Sequence, residues 1–547
     1  MVSKIRLILA QALAVACIAA ITPSFGQEVS VQEALRVEVE RLGHDGQRNI
    51  GGVPFAANDL VATVYERRSY QPAWTRTEQV GELVVALEAA YNDGLDPNDY
   101  HIDAVRAAYR DLDGGRQMDA RARAAMDLLL TESLIRLGYH ERFGKVDADS
   151  LDPNWNFVRE FNNADPATVV QRGIDSDSLT GFLAELFPRR PIYVRSRAAL
   201  VAYREIEAAG GWPQIPEGAT LRPGATDERL SLLAQRLTVT GDIEQVNTFA
   251  PISNYDARLE EGVKRFQARH DLSADGIVGP DTLRALNVPV EKRIDQLRLT
   301  LERGRWVLDQ LGDRFVVVNI AAFKAYLSLD NVIVWSTKVQ VGRTYHQTPV
   351  FRDEMTYVVF NPTWTVPYSI ATKEMLPKIK QDPDYFNKRD FDVKNRSGEL
   401  VDPNSVDWSQ VTRGNFGYTF IQRPGPRNAL GRVKFIFPNQ HSVYLHDTPS
   451  KYLFGQDSRA FSHGCIRVEN PFDFAEVLLG PDGWDRMRID ALIESRETKT
   501  EFLSDPLPVL LLYWTADVGA DGVVHFYEDV YERDQRLLDA LNTPFDL

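Results

Sequence analysis

Tyr444-Leu445-His446-Asp447, followed by Phe461-Ser462-His463-Gly464-Cys465-Ile466-Arg467-Val468, sets a thiol, two imidazoles and a guanidinium in one short window near the C-terminal end of the chain. A nucleophilic thiol works as its thiolate, so an imidazole able to take its proton is the expected companion. His446 ends an apolar run, Val443 to Leu445, that reads as a strand, and Cys465 follows it by 19 positions after a polar loop. That spacing allows the loop to fold back and bring the sulfur beside the ring. Downstream, Asn470-Pro471-Phe472-Asp473 offers an N-cap, a proline for the first helical position and an acid for the first turn, with Gly480 as the stop. The thiol is therefore expected just before a short helix.

The chain has 2 cysteines. Residues 1–26 read as an export signal: Lys4 and Arg6 lead an apolar run from Leu7 to Ile21, and Pro23-Ser24-Phe25-Gly26 precedes a polar Gln27. A membrane anchor is the competing reading, but the run falls short of the ~20 apolar residues that span a bilayer and contains Gln11. Lipidation at Cys17 is a further alternative; Ala14-Val15-Ala16-Cys17 resembles a lipoprotein box only loosely, with Leu13 one position too early. Cleavage near Gly26 leaves Cys465 alone, and a single thiol in an oxidising compartment makes no internal disulfide. Most free cysteines are small buried hydrophobes. Flanking His463, Gly464 and Arg467 are a poor recipe for an apolar niche.

At 547 residues the chain exceeds one core, because cores stop growing at roughly 250–300 residues. About three domains are expected. Hydrophobic content of 44% and charged content of 25% are ordinary globular values, and the formal net charge of −15 argues against nucleic acid as the main partner.

Residues 27–224 read as a mostly helical scaffold. Arg121 to Tyr139 has the density of a well-buried helix; Asp165 to Phe187 and Val194 to Ala209 look similar, with Gly173 a point of interruption. This region shows no chemistry of its own. After Arg222-Pro223-Gly224-Ala225 a compact unit, 225–290, carries Leu259, Val263 and Phe266 at helix spacing and then Asp275-Gly276-Ile277-Val278-Gly279-Pro280-Asp281-Thr282-Leu283. The glycines suit tight turns and Pro280 a helix start. This segment, with Phe266-Gln267 before it, resembles the small three-helix peptidoglycan-binding domain. Residues 291–500 form the third unit. Ile294 to Leu311 is an amphipathic helix, and from near residue 313 the period becomes that of strands: Phe315 to Ile320, Ala325 to Leu329, Val332 to Val339, Tyr357 to Phe360 and Arg432 to Phe437. Residues 367–426, polar and irregular, read as a lid-like insertion. In 501–547, Val509 to Trp514 and Val523 to Phe526 read as a strand and its returning partner around Ala520-Asp521-Gly522, packing on the catalytic or scaffold unit.

His446, the loop after it and Ser462-His463-Gly464-Cys465-Ile466-Arg467 resemble the signature of the L,D-transpeptidase catalytic domain. The order of units, Asn361-Pro362-Thr363-Trp364-Thr365-Val366-Pro367 and the tail Tyr513 to Tyr531 extend the resemblance to the long periplasmic L,D-transpeptidases of Gram-negative bacteria. The resemblance implies a multidomain α+β protein: helical scaffold, three-helix wall-binding domain and β-rich catalytic domain. It also implies the reaction. A tetrapeptide stem of peptidoglycan is attacked at its third residue, D-alanine leaves, and a diaminopimelate amine on a second stem resolves the thioester into a 3-3 cross-link. Carbapenems acylate such enzymes. The expected location is the periplasm and the expected partners are donor and acceptor stem peptides; no cofactor is expected, and no protein partner is legible.

In this reading Cys465 is the nucleophile and His446 the proton acceptor and donor. The carbonyl of Asp447 orients the ring, as the resemblance implies, and backbone N–H groups of His463 and Gly464 form an oxyanion hole. Arg467 suits a stem carboxylate, with Ser462 and Trp364 as further substrate contacts. Each residue has a blander reading: His446 a strand-end histidine, His463 a loop-shaping one, Arg467 a surface ion pair, Trp364 a core residue. His441, His446, His463 and Cys465 match no recognised zinc spacing. Two other classes stay open: a hydrolase or carboxypeptidase on the same scaffold, and a non-catalytic wall-binding protein.

Overall fold

The computed structural model describes residues 29–44, 49–50, 53–158, 164–244 and 251–544. The export signal expected over residues 1–26 lies outside them. Among the described residues no helix is long and apolar enough to cross a membrane.

The N-terminal region is helical because its apolar residues recur at helical spacing and its helix starts are capped. Its central helix α1, Ala120–Phe143, begins where Asp119 accepts from the N–H of Ala122 at 2.8 Å. Burial on almost every side makes α1 the axis of the region. The expected helix over 165–187 is two, Pro166–Ile174 and Leu179–Leu186; the break falls after Gly173, and Ser178 caps the second by accepting from Gly181. Helix α2, Pro191–Ala208, follows.

The next unit packs α3, Leu230–Val239, α4, Ala257–Ala268, and α5, Pro280–Leu286, around Leu233, Leu237, Leu259, Val263, Phe266 and Leu286. Buried Gln267 clamps the turn after α4. Its amide donates to the carbonyl of Ile277 at 3.0 Å and its oxygen accepts from Gly276 N–H at 2.9 Å, at a glycine whose φ of +72° disfavours other residues. Helix α6, Val290–Val307, expected to open the catalytic unit, buries Leu297, Leu301 and Val307 in the core of the helical region instead.

Nine strands then form one sheet. In chain order they are β1 Phe315–Asn319, β2 Lys324–Leu329, β3 Val332–Gly342, β4 Phe351–Phe360, β9 Val433–Ile436, β10 Leu445–His446, β11 Ala460–Ser462, β12 Ile466–Val468 and β13 Lys499–Leu512; β5 to β8 belong to the insertion below. The spatial order is β11-β3-β12-β10-β9-β4-β13-β1-β2, and β2 pairs again with β3, so the sheet curls until it closes. Val316, Val318, Val358, Phe435, Leu445, Ile466 and Leu511 fill its interior. Each such side chain contributes about 1.5–3 kcal/mol on burial.

The insertion is not irregular. Strands β5 Trp364–Thr365, β6 Phe391–Lys394, β7 Leu400–Val401 and β8 Thr419–Gln422 make a separate sheet in the order β5-β8-β6-β7. Val366, Met375, Ile379, Phe386, Val393 and Phe420 form its own core. These residues are too scattered along the chain to leave a periodic signal.

The C-terminal reading also changes. Val509 to Leu512 lies within β13, between parallel β1 and antiparallel β4. The returning strand β15, Val524–Phe526, pairs instead with β14, Ala516–Val518. That hairpin and helix α7, Asp534–Asn542, pack into the core of the helical region.

Candidate active site

Strands β10 and β12 run parallel, with Leu445 opposite Ile466 and His446 opposite Arg467. Leu445 and Ile466 point into the closed sheet. Side chains alternate along a strand, so Tyr444, His446, Cys465 and Arg467 share the opposite face. Ile466 N–H donates to Tyr444 O at 3.1 Å, which sets Cys465 beside Tyr444 and makes the thiol and the imidazole diagonal neighbours. The short helix expected after the thiol runs from Pro471 to Leu479, with Asp473 in its first turn and Gly480 at its end, and the three-residue β12 lies between it and Cys465; the one difference is that the Asn470 side chain makes no capping bond.

His446 is buried, and its Nδ1 bonds the Asp447 carbonyl at 2.6 Å. A carbonyl only accepts, so Nδ1 carries the proton and Nε2 keeps its lone pair. Across β10 the ring lies between two cations, Arg467 on β12 and Lys434 on β9. Burial first, then Arg467 and Lys434, push its pKa down to about 3 against the opposing pull of the Asp447 and Leu430 carbonyls. The imidazole is thus neutral at neutral pH, the form that accepts a proton.

Cys465 is half-buried, with Sγ 3.6 Å from Ser442 O. Burial pushes the thiol up, while hydrogen bonds from Tyr444 and the charges of Arg467 and Lys434 pull it down. Half-buried Arg467 donates to the buried Gln340 Oε1 at 3.1 Å, its Nε has no hydrogen-bond partner, and among the described residues it has no ion-pair partner. A guanidinium so placed is free to meet a carboxylate.

The loop before Cys465 is tied internally. The Ser462 hydroxyl donates to Cys465 O at 2.5 Å and accepts from Gly464 N–H at 3.0 Å. Ser462 is 2% exposed, and both of these bonds lie within the loop. The Gly464 N–H, expected as an oxyanion donor, is occupied in this conformation. Gly464 has φ +117°, which favours glycine although nothing crowds a Cβ there. His463 is exposed; its Nε2 is 2.6 Å from Glu374 Oε1 of the insertion, and its ring lies 5.4 Å from that of His346. Trp364 is half-buried on β5, with its ring 6.2 Å from Phe391 in the insertion core. His441 packs on Phe351 at 4.8 Å. Among the described residues no three His, Cys, Asp or Glu side chains gather as a metal centre needs.

Several residues escaped the sequence reading. Thr348 donates to Gly464 O at 2.8 Å and accepts from Gly342 N–H at 2.9 Å. Tyr531 donates to Gly342 O at 2.6 Å and accepts from Thr348 N–H at 3.2 Å. The C-terminal tail therefore braces the loop that carries the thiol. Lys434, opposite His446 on β9, escaped as well, although it left a signal as a charge within an apolar strand.

Fold and site together define the class: a multidomain α+β protein that presents a lone thiol, a neutral imidazole and an unpaired guanidinium on one face of a closed sheet. Residues 313–489 match the L,D-transpeptidase catalytic domain, residues 227–286 a "putative peptidoglycan binding domain" and residues 59–200 a scaffold domain. The chain therefore carries an L,D-transpeptidase catalytic domain with a peptidoglycan-binding domain ahead of it. A protein of Haemophilus influenzae named "Putative L,D-transpeptidase" is 34% identical over 222 residues, covering 41% of this chain and 45% of the relative. The chain thus spans less than half the length of that relative. Among solved structures, an L,D-transpeptidase from Mycobacterium smegmatis is 13% identical and covers 37% of this chain and 58% of its own, with a TM-score of 0.17. One from Stackebrandtia nassauensis is 13% identical and covers 55% and 96%, with a TM-score of 0.22. Likenesses this distant carry no part of the assignment.

Proposed function

We propose that the protein is a peptidoglycan L,D-transpeptidase that acts through a cysteine acyl-enzyme outside the cytoplasm. The observation that supports this most is the shared face of Cys465, His446 and Arg467, with His446 held in the tautomer that leaves Nε2 as the acceptor. His446 takes the thiol proton as sulfur attacks the carbonyl of the third stem residue, and returns it to the departing D-alanine amine. General acid and base assistance of this kind supplies about 10²–10⁴ in rate. Arg467 receives a donor carboxylate. Backbone N–H groups at His463 and Cys465 meet the developing oxyanion, with each donor worth roughly 2.7–4 kcal/mol. An acceptor diaminopimelate amine then attacks the thioester and the thiol is released, which leaves a 3-3 cross-link. Acylation at a side chain of this kind makes the protein a carbapenem target.

Intact mass after carbapenem treatment tests the nucleophile. One adduct is expected on the parent and none on Cys465→Ala. No adduct, or one that survives the substitution, removes this reading. Disaccharide tetrapeptides as substrate then separate the transferase from the hydrolase alternative: cross-linked dimers support the first and shortened monomers alone support the second.

A further inference from the structure

The peptidoglycan-binding unit is fastened to the catalytic unit. Arg459 pairs with Asp271 at 2.8 Å and Ser273 donates to Asp457 at 2.8 Å, while Phe526 N–H, in the hairpin packed on the helical region, donates to Arg269 O at 3.0 Å. Between the two units lies a cavity of about 490 Å³. Arg293 of α6 forms part of its wall and is only 6% exposed. Its Nη1 donates to Gln296 at 2.8 Å and its Nη2 to Ala285 O at 3.2 Å, its plane lies 4.6 Å over Phe526, and its Nε has no partner.

Among the described residues no carboxylate pairs with Arg293, and burial together with nearby Arg236 and Arg269 pushes it down to about 9. Arg269 has Asp242 as a partner at 2.6 Å; Arg293 has none. His270 beside it is also buried: Nδ1 bonds Phe266 O at 2.7 Å and Nε2 is left without a partner. A buried guanidinium without a counter-charge is destabilising, and hydrophobic replacement of such groups is often neutral or stabilising. Arg293 bonds Gln296 and the Ala285 carbonyl and lies on Phe526, yet nothing answers its charge, and an anion is what the cavity wall lacks.

The rest of the lining has the opposite sign. Asp457 and Glu528 face the cavity, and exposed Arg284 there is already paired with Asp281. A ligand that is anionic throughout meets repulsion from these carboxylates, while one with an ammonium beside its carboxylate satisfies both parts. We propose that this cavity binds a free amino-acid headgroup, with its carboxylate on Arg293 and its ammonium toward Asp457 and Glu528. Diaminopimelate at the end of a wall peptide carries this group, and so does released D-alanine. Asp457 lies in the loop between His446 and Cys465, so occupancy touches the segment that leads to the thiol. The site uses none of the residues assigned to acyl transfer and stands or falls apart from that assignment.

The test is isothermal titration of the full chain, carrying Cys465→Ala to prevent turnover, with meso-diaminopimelate, D-alanine and acetate. Saturable binding is expected, with diaminopimelate at least 10-fold tighter than acetate. Arg293→Met is expected to lower that affinity at least 10-fold while the ligand-free Tm stays level or rises, an outcome that a structural arginine does not give. Asp457→Asn weakens diaminopimelate several-fold and leaves acetate unchanged. Equal affinity of D-alanine and diaminopimelate assigns the free amino acid, and tighter diaminopimelate the wall peptide. Absent binding, no preference over acetate, or affinity unchanged by Arg293→Met overturns the proposal. Should Arg293→Met not fold, unchanged diaminopimelate affinity in Asp457→Asn overturns it instead.

Discussion

The Thr348 hydroxyl donates to the Gly464 carbonyl at 2.8 Å, so a residue 116 positions earlier holds the peptide next to the nucleophile. The same oxygen accepts from Gly342 N–H. Thr348→Val keeps the shape and loses both bonds, at about 1–3 kcal/mol for buried groups left unpaired. The loop then shifts relative to the substrate, and acylation by a carbapenem is expected to slow by roughly 10- to 100-fold, since small misplacements near a reacting atom are that damaging. Stopped-flow acylation with a matched thermal melt checks this; an unchanged rate in a destabilised variant counts against the brace.

Gly342 is the other end of that brace. A Cβ there stands 2.0 Å from the His346 carbonyl, a backbone atom that cannot rotate away. Gly342→Ala is expected to destabilise by at least about 1–3 kcal/mol. Denaturant unfolding measures it, and a shift below about 0.5 kcal/mol contradicts the packing.

His446 carries a pH dependence whose sign follows from its depressed pKa. The unfolded ring titrates near ~6.5 and the folded one at about 3. Between those values the unfolded chain binds more protons at this group, so stability rises with pH. The contribution is full above ~6.5 and is lost as pH falls toward 3. Between pH 7 and pH 5 the parent is expected to lose roughly 2 kcal/mol more than His446→Gln. Equal losses in the two proteins refute a depressed folded pKa. The neutral ring also predicts an acylation rate with no inflection near ~6.5.

Arg467 is half-buried without an ion-pair partner among the described residues. Arg467→Met relieves an unpaired desolvated charge but leaves the buried Gln340 Oε1 without its donor, so Tm is expected to change little. Donor tetrapeptide kcat/KM falls by about 10²–10³, in line with the roughly 2–5 kcal/mol measured for truncated charge pairs. A fall in Tm with an unchanged kcat/KM assigns the side chain to the fold.

Glu374 joins the insertion to the catalytic loop through His463. Both side chains are partly exposed, so Glu374→Gln changes stability by no more than about 1 kcal/mol. A loosened insertion admits water, and the ratio of shortened monomer to cross-linked dimer is expected to rise a few-fold. Chromatography of the products reads the ratio, and an unchanged one separates the insertion from solvent exclusion.

Much of this was legible in the chain alone. Residue types and spacing marked Cys465 and His446, alternation marked β1 to β3, and Gln267 with its glycines marked the wall-binding unit, since each is a local pattern that chemistry constrains within a few residues. Where the pattern was not local, reading failed. The insertion core joins Val366, Phe386 and Phe420 across more than fifty positions, and β13 inserts between β1 and β4 from the far end of the chain.

By itself, then, the amino-acid order determined which groups are available: a thiol at Cys465, an imidazole 19 places earlier and a guanidinium two places later. Tertiary structure decided their states. Only strand pairing flanks His446 with Lys434 and Arg467, only the returning tail puts Tyr531 under Gly342, and only domain docking buries Arg293 beside an empty volume. The reason is physical: a side chain's reactivity depends on the charges and dipoles within a few ångströms of it, and in a folded chain those neighbours come from distant sequence.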